Sequence, residues 1–278
     1  MAERVPDSER EALIRALQGA AKYAAVPLAT LADIADHALR HERGKAALKT
    51  AKAKLHNVIA DYLGDPDYSA ASQQIDTAAG PEAIRVACAE IAAAHASTRE
   101  RLAILSEFYP RLWAITGTPH TLIDLACGLN PVLIPFMALP ADACYYAYDI
   151  HPARVTFLNG AIRQLGVGGG AERRDILVSP PEIRADVALI LKEVHRFEQR
   201  RRGASRALID AIQARWVLVS LPTRGMNGRQ DLRRSYRNLF YKVMAGSGWP
   251  VIEVEFENEM VFCVEKPASP ALPPQGEG

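Results

Sequence analysis

The chain has 278 residues, a formal net charge of +1, and hydrophobic residues at 49% of its positions. This length and composition allow one large domain or two modest ones with a full-sized core, and the near-zero net charge gives no global sign of a polyanionic partner. The N-terminus lacks the apolar segment of a signal peptide, no run is long enough to span a membrane, and the cysteines Cys88, Cys127, Cys144 and Cys263 form no C-x-x-C pair. We therefore expect a reduced, cytoplasmic protein with neither a zinc site nor a disulfide framework.

Residues 1–94 show helical periodicity and no strand pattern, which predicts an all-α N-terminal domain. Ser8 to Glu11 resembles a capping box, Pro27 and Gly44 separate successive helices, and Gly80 precedes another. Basic residues gather around the second break, namely Arg40, His41, Arg43, Lys45, Lys49, Lys52 and Lys54. Such a cluster is either a solvated helix face or a phosphate-binding surface.

Ser97 is predicted to cap a helix from Thr98 to Thr116, and beyond it predicted strands and helices alternate. The strands are predicted at 121–125, at 144–149, in a short segment ending at 175, and at 185–192, 216–221, 249–256 and 260–265. The helices are predicted at 131–139, 152–165, 196–212 and 231–245, with residues 166–170 as a loop. This alternation predicts a parallel sheet with helices on both faces and a terminal antiparallel hairpin. The pattern is typical of the class I fold of methyltransferases that use S-adenosylmethionine (SAM), a Rossmann-like seven-stranded sheet, over residues 95–266, followed by a disordered tail at 267–278.

One predicted turn has the pattern of a nucleotide cradle. Residues 121–125 form an apolar strand, Gly128 permits a tight turn, and Asn130 can cap the helix that follows. Asp149 ends the next strand about 20 residues after Gly128, where an acid can hold both hydroxyls of a ribose. Ala126 stands where the first glycine of G-x-G-x-x-G would be, which favours a mononucleoside such as SAM over a dinucleotide. An ordinary βαβ turn in a nucleotide-free domain is the simpler alternative.

Four motifs occur together and in order: His95-Ala-Ser-Thr-Arg-Glu-Arg-Leu102, Asp124-Leu-Ala-Cys-Gly-Leu-Asn-Pro131, Asp149-Ile-His151 and Ser220-Leu-Pro-Thr-Arg224. On these motifs, over about residues 10 to 266, the chain resembles the aminoglycoside-resistance methyltransferases that modify N7 of a guanine in the decoding-site helix of 16S ribosomal RNA. The segment after Lys192 reads Glu-Val-His-Arg-Phe, where many relatives have Leu-Leu-Pro, and the loop after Thr223 also departs from the family pattern. These departures leave the recognition of the target base open.

The resemblance implies a SAM site with no metal and no catalytic acid, base or nucleophile. Asp149 would hold the ribose, Arg101 would pair with the cofactor carboxylate, and Asp175 would lie near the adenine amine. Because the N7 lone pair of guanine is already free, catalysis would depend on aligning N7 with the methyl group. The full predicted cofactor site comprises His95, Ser97, Thr98, Arg101, Ala126, Gly128, Asp149, Ile150, Asp175, Ile176 and Leu191.

Basic residues also cluster in the second half of the chain, and together with the N-terminal cluster they predict contact with RNA. The resemblance implies a monomer that acts on the assembled 30S subunit, turns the target base out of its helix and confers aminoglycoside resistance. The predicted RNA-binding residues are Arg43, Lys45, Lys49, Lys52, Arg200, Arg201, Arg224, Met226, Arg229, Arg233 and Arg234.

Three other functions compete with this interpretation. A methyltransferase could act on another ribosomal RNA base, such as N1 of a nearby decoding-site adenine. An NAD-dependent oxidoreductase could use the same βαβ unit, although the missing first glycine and the terminal hairpin disfavour it. A non-catalytic RNA-binding protein is disfavoured by the retained Gly128 and Asp149.

Overall fold

The computed structural model describes residues 7–59, 64–225 and 230–267. A helical segment precedes an alternating α/β segment, as predicted. The helices are α1 (Asp7–Gln18), α2 (Leu28–Leu39), α3 (Gly44–Ile59), α4 (Tyr68–Thr77), α5 (Pro81–Ala92), α6 (Ala96–Leu102), α7 (Leu105–Thr116), α8 (Pro152–Gln164), α9 (Val194–Arg200), α10 (Ala204–Ala211) and α11 (Arg233–Val243), with 3-10 helices at Ala21–Tyr23 and Asn130–Phe136. The strands are β1 (Thr121–Leu125), β2 (Cys144–Asp149), β3 (Gly168–Arg173), β4 (Ala185–Leu191), β5 (Ala214–Pro222), β6 (Val251–Glu255) and β7 (Glu259–Glu265).

The seven strands form one sheet in the order β3-β2-β1-β4-β5-β7-β6. The pairings among β1 to β5 are parallel, whereas β7 is antiparallel to both β5 and β6. The strand order therefore reverses between β1 and β4, and open α/β sheets bind ligands outside the carboxyl ends of strands at such a reversal. The predicted sheet and its terminal hairpin are confirmed.

Both faces of the sheet are covered, because successive side chains of a strand point to opposite sides. Leu122 enters a core beneath α5, α7 and α8, and its neighbour Ile123 enters a second core beneath α9, α10 and α11. This arrangement explains why β1 has apolar side chains on both faces instead of alternating apolar and polar ones, with Asp124 as its one buried acid.

A third core joins α1, α2 and α3 through fully buried side chains such as Leu17, Leu31 and Leu55. In contrast, α4 and α5 contribute Ile75 and Cys88 to the first sheet core. Packing thus divides the helical segment between α3 and α4, inside the domain predicted over residues 1–94. The assignment of that domain to RNA binding stays a prediction.

The predicted loop at 166–170 is wrong in part, because β3 begins at Gly168 and pairs in parallel with β2. Glycine is required there for steric reasons. A Cβ atom at Gly169, which has a φ of +94°, would lie 2.3 Å from the backbone oxygen of Tyr145. The glycine run is therefore a strand that approaches its neighbour too closely for side chains, a role that glycine also has in other sheets.

Three predicted helices differ from the observed ones. The predicted helix at 196–212 is divided into α9 and α10 at Gly203, whose φ is +81°. The segment after β1 is a 3-10 helix, consistent with Pro135, which has no N–H for an α-helical bond to the carbonyl four residues earlier. The predicted helix from Thr98 to Thr116 is divided into α6 and α7 at Ile104, a break that nothing in the local sequence explains. His95, not Ser97, occupies the N-cap position of α6.

Of the tail predicted at residues 267–278, residues 268–278 lie outside the described part of the chain. Among the residues that are described, no helix is long and apolar enough to cross a membrane.

Candidate functional site

A cavity opens at the carboxyl edge of the sheet, beside the reversal of strand order. The segments after β1, β2, β3 and β4 each contribute to its wall. Thr98 is the exception among the predicted cofactor residues, because its buried hydroxyl donates to the backbone oxygen of Ala92 at 2.5 Å. The other predicted residues line the cavity, namely His95, Ser97, Arg101, Ala126, Gly128, Asp149, Ile150, Asp175, Ile176 and Leu191.

The backbone is strained where β1 and β4 end at this cavity. Ala126 has a φ of +55° and Lys192 has a φ of +61°, values that favour glycine and cost other residues about 1–2 kcal/mol. Ala126 thus adopts the conformation of the glycine that the sequence lacks at that position. Such strain is found preferentially at ligand sites.

Asp149, at the end of β2, holds the turn after β1 in place. Its carboxylate accepts hydrogen bonds from the backbone nitrogens of Gly128 (3.1 Å) and His151 (2.8 Å). It also pairs with Nη1 of Arg154 at 3.0 Å, and both side chains are less than 8% exposed. The acid is therefore fixed in orientation at the cavity wall. Its predicted contact with ribose hydroxyls stays a prediction.

Asp175 is linked to the N-terminal helices by Arg200, which was predicted from the sequence to bind RNA. Arg200 pairs with Asp175 at 2.8 Å and with Asp33 of α2 at 2.7 Å, and its side chain is only 7% exposed. As placed, this guanidinium is enclosed by carboxylates instead of facing solvent. This position is contrary to the prediction that Arg200 contacts RNA, because its charge is buried and paired.

Arg101 lies at the wall of the cavity, where its side chain is 1% exposed and belongs to a buried polar network. Its Nη2 pairs with Glu259 of β7 at 2.8 Å, and its Nη1 donates to Oδ1 of Asn130 at 2.9 Å. The same oxygen accepts from Tyr109, and the amide nitrogen of Asn130 donates to Asp124. Asn130 thus organises this network, whereas the sequence predicted it as a helix cap. Nε of Arg101 has no hydrogen-bond partner among the described residues.

Sequence reasoning missed the contribution of α3 to this cavity. Lys54, Asn57, Val58 and Ile59 line it, and Nζ of Lys54 donates to the backbone oxygen of Arg200 at 2.7 Å. Lys54 and Arg200 are 146 positions apart, so no local pattern could reveal this contact. In the sequence, Lys54 belongs to a cluster of basic residues, and this cluster predicts a basic surface instead of a cavity wall.

Gly128 offers a first test of the cavity wall. It has a φ of +54°, and a Cβ atom there would lie 3.1 Å from Cε1 of His95. We expect Gly128→Ala to lower both the melting temperature and the affinity for S-adenosylhomocysteine, because the left-handed backbone costs about 1–2 kcal/mol and the methyl group displaces His95. Gly166→Ala is the matched control, since Gly166 also has a positive φ (+74°) but faces open space. Equal effects of both variants on ligand affinity would show that the His95 contact is unimportant.

The predicted RNA-binding residues lie on two surfaces. On α3, Lys45, Lys49 and Lys52 are all exposed and follow the spacing of a single helical face. Among the described residues none of these three lysines forms a salt bridge, in contrast to Arg43, which pairs with Glu9 at 3.5 Å. This lysine face points away from Lys54, which occupies the opposite side of the helix.

The other basic surface surrounds the loop after β5. Arg224 and Arg234 are exposed, whereas Arg233 pairs with Asp231 and Glu255. Arg201 is partly exposed and pairs with Asp33 at 3.4 Å. Met226 and Arg229 lie outside the described residues.

The chain is similar to known proteins over nearly its full length. The family model described as Ribosomal RNA methyltransferase (FmrO) matches residues 19–264. A 16S rRNA (guanine(1405)-N(7))-methyltransferase of Frankia casuarinae is 35% identical over 273 residues, which are 95% of each chain. Another, from Micromonospora echinospora, is 32% identical and covers 96% of this chain and 100% of the relative. The crystal structure of 16S rRNA methyltransferase RmtF in complex with S-adenosyl-L-homocysteine matches with a TM-score of 0.77 at 28% identity, over 94% of this chain and 100% of RmtF.

Proposed function

The chain belongs to the FmrO family of ribosomal RNA methyltransferases, and we propose that it transfers a methyl group from SAM to N7 of guanine 1405 in 16S ribosomal RNA, the reaction for which its Frankia and Micromonospora relatives are named. The observation that carries the proposal is the convergence of motifs spread over residues 95–191 on one cavity at the reversal point of the sheet. The bound S-adenosyl-L-homocysteine in RmtF supports the same choice of cofactor.

The residues of the cavity fit SAM. Ile150, Ile176 and Leu191 offer apolar surface to an adenine ring, and Asp149 offers carboxylate oxygens to ribose hydroxyls. Nε of Arg101 is a buried donor without a partner among the described residues, which suits a carboxylate at that end of the cofactor. When bound, SAM supplies an electrophilic methyl group on a positively charged sulfur.

The protein's own part in the reaction is to position the base. Guanine N7 carries a free lone pair, so no side chain needs to remove a proton before attack. The histidines nearby agree with this. Burial and the nearby Arg154 lower the pKa of His95 to about 4, and burial and Arg196 lower the pKa of His195 to about 4. Both rings are therefore neutral at pH 7, so neither supplies an imidazolium that could act as a general acid.

The proposal is tested by incubating the protein with labelled SAM and purified 30S subunits that lack the modification, with free 16S rRNA in parallel. Reductive cleavage at N7-methylguanine then maps the site. We expect label at one decoding-site guanine. Label at N1 of an adenine would replace the proposed target with the second candidate base, and binding of NAD in place of SAM would overturn the methyltransferase assignment.

We infer that the lysine face of α3, formed by Lys45, Lys49 and Lys52, contacts ribosomal RNA phosphates. Its exposure and its lack of salt bridges among the described residues leave these charges available, and the same helix reaches the cofactor cavity through Val58 and Ile59. The proposed substrate is the assembled 30S subunit, and methylation there would confer aminoglycoside resistance. A monomeric state and a cytoplasmic location stay predictions.

Replacing all three lysines of this face with alanine is expected to weaken binding to 30S subunits and to reduce the slope of log affinity against log salt by roughly 2 to 3, because each lost phosphate contact lowers the slope by about 1. Affinity for S-adenosylhomocysteine should not change. Arg163→Ala, which removes an exposed charge of α8, serves as the control. An unchanged salt slope in the triple variant would exclude the lysine face from the RNA interface.

A further inference from the structure

A second cavity adjoins the cofactor cavity. Ser97, Glu193, Arg196 and Gln199 line both of them, so the two spaces meet across these four side chains. The second cavity continues from this junction towards α11 and the loop after β5. A group held in it would therefore border on a cofactor that occupies the first cavity.

The walls of the second cavity suit a flat heteroaromatic ring. The rings of His195 and Tyr236 both line it, with their centroids 5.5 Å apart and an interplanar angle of 36°. Pro222 and Leu232 add apolar surface. Nδ1 of His195 is buried and has no hydrogen-bond partner among the described residues. Unstacked bases are typically held by such aromatic and apolar side chains.

A guanine in this cavity would need a hydrogen-bond acceptor for its Watson–Crick edge. That edge presents two neighbouring donors, N1–H and the exocyclic N2–H, whereas adenine presents an acceptor at N1. A carboxylate has two oxygens that accept without donating, so it can take both donors of guanine and repels N1 of adenine. Backbone carbonyls and hydroxyl groups discriminate less strongly between guanine and adenine. A carbonyl supplies a single acceptor atom, and a hydroxyl can rotate to donate to N1 of adenine.

Glu193 is the carboxylate at the junction. It follows directly after β4 and Lys192, and its side chain is 16% exposed and pairs with Nη1 of Arg196 at 2.5 Å. Glu100 also lines the second cavity, but it does not line the first, and its carboxylate is paired with Nζ of Lys192 at 2.8 Å. Of the two acids that line the second cavity among the described residues, Glu193 is therefore the one placed to reach a base whose N7 faces the first cavity.

We propose that the second cavity receives the target guanine and that Glu193 accepts hydrogen bonds from its N1–H and N2–H, an inference that rests on the proposed function. In the transfer, the N7 lone pair forms the new bond to the methyl carbon while the bond from that carbon to sulfur breaks. The bonding pair passes to sulfur, which becomes neutral, and the positive charge moves to the guanine ring. No proton leaves the base in this step.

Glu193 would bind the transition state more tightly than the substrate. As positive charge develops on the guanine ring, N1–H becomes a stronger donor, and a carboxylate acceptor gains interaction energy at that moment. Interactions that strengthen only in the transition state raise kcat. Glu193 would thus contribute both to the choice of guanine and to the rate.

The ionisation of Glu193 provides a signature of this role. Burial raises the pKa of Glu193 to about 7, and the nearby Asp149 also raises it. Arg196 of α9 and Arg154 of α8 act in the opposite direction and lower this pKa. Among the described residues, the other titratable groups that line the second cavity are Glu100, Lys192, His195, Arg224 and Tyr236. Because the carboxylate form exists above this pKa, kcat/KM should rise with pH through about 7 and then level off, since kcat/KM reports ionisations of the free enzyme.

The test compares methyl transfer to 30S subunits by the wild type, Glu193→Ala and Glu193→Gln. We expect Glu193→Ala to lower kcat/KM about 10- to 100-fold, the range for losing a bidentate base contact. Glu193→Gln retains one acceptor and should lose less, and its kcat/KM should no longer rise between pH 6 and 8. Affinity of both variants for S-adenosylhomocysteine should change less than about threefold. Glu107→Gln is the control, because Glu107 pairs with Arg111 as Glu193 pairs with Arg196 but lies on α7 and lines neither cavity.

The outcomes separate this inference from the proposed function. Methylation of guanine by the wild type tests the proposed function, and the ratio of variant to wild type tests Glu193. A Glu193→Ala enzyme that keeps activity within threefold of the wild type would overturn the inference. So would a loss explained fully by weaker binding of S-adenosylhomocysteine, since Glu193 would then act through the cofactor, or a Glu193→Gln enzyme with the pH profile of the wild type.

Discussion

Replacement of Arg101 by alanine is expected to lower the free energy of unfolding by about 3–5 kcal/mol, the range for breaking a buried ion pair by removing one partner. The reason is that Glu259 would remain charged and enclosed. Its side chain is 0% exposed and that of Arg101 is 1% exposed. Burial alone would raise the pKa of Glu259, but Arg101 and Lys192 hold this pKa below its usual value. The loss of Arg101 also leaves the carbonyl oxygen of Asn130 without one of its donors.

Urea denaturation of three variants tests this expectation. Arg99→Ala is the matched control, because Arg99 is an exposed arginine two residues away and surface substitutions usually change stability by less than about 0.5 kcal/mol. Arg101→Ala combined with Glu259→Gln should recover part of the lost stability, since it removes a buried charge whose remaining cationic partner among the described residues is Lys192, at 3.3 Å. If Arg101→Ala and Arg99→Ala were equally stable, the buried pair would contribute nothing to the fold.

The paired state of Glu259 also fixes the sign of a pH effect. Because its folded-state pKa is lowered, its contribution to stability is present above the unfolded pKa of about 4.3 and is lost as the pH falls through the folded value. The difference in stability between the wild type and Arg101→Ala should therefore shrink as the pH is lowered below about 4.

Asp149→Ala is expected to reduce affinity for S-adenosylhomocysteine by roughly 100-fold or more, because a hydrogen bond to a charged group contributes about 1.5–3 kcal/mol and two ribose hydroxyls would lose their acceptor. The substitution also frees the turn at Gly128, whose N–H donates to this carboxylate, and leaves Arg154 with Asp65 as its remaining partner among the described residues. Asp149→Asn should lose a similar amount of affinity. The NH₂ group of asparagine would face either a backbone N–H or Arg154, and because both of these are donors, no hydrogen bond could form.

Titration calorimetry with S-adenosylhomocysteine measures the effect directly. Asp142→Ala provides the control, because Asp142 is a carboxylate with 78% side-chain exposure that pairs with His120 and lines neither cavity. Binding by Asp149→Ala within threefold of the wild type would contradict the assignment of Asp149 to the cofactor site.

Several features were predictable because they depend on near neighbours in the sequence. The apolar strand at 121–125, Gly128 and Asp149 all belong to one βαβ unit, whose geometry is set by strand length, the glycine turn and an acid at the next strand end. The terminal hairpin was predictable for the same reason. The glycine-rich start of β3 was not, since only the approach of Tyr145 to Gly169 shows why glycine stands in a strand there.

The sequence by itself determined the class of fold, the succession of strands and helices along the chain, and the motifs of the cofactor cavity. Local periodicity and turn chemistry encode these features. Only the tertiary structure decided how charges are used. Arg200 and Asp33 are 167 positions apart, and their ion pair converts an apparent surface cation into a buried link between α2, α9 and Asp175. Likewise, Lys54 and Glu193 acquire their positions at the cavities from the packing of α3 and α9 beside the sheet. A charged residue reads the same in sequence whether it faces water or a buried partner, and the partner comes from distant parts of the chain.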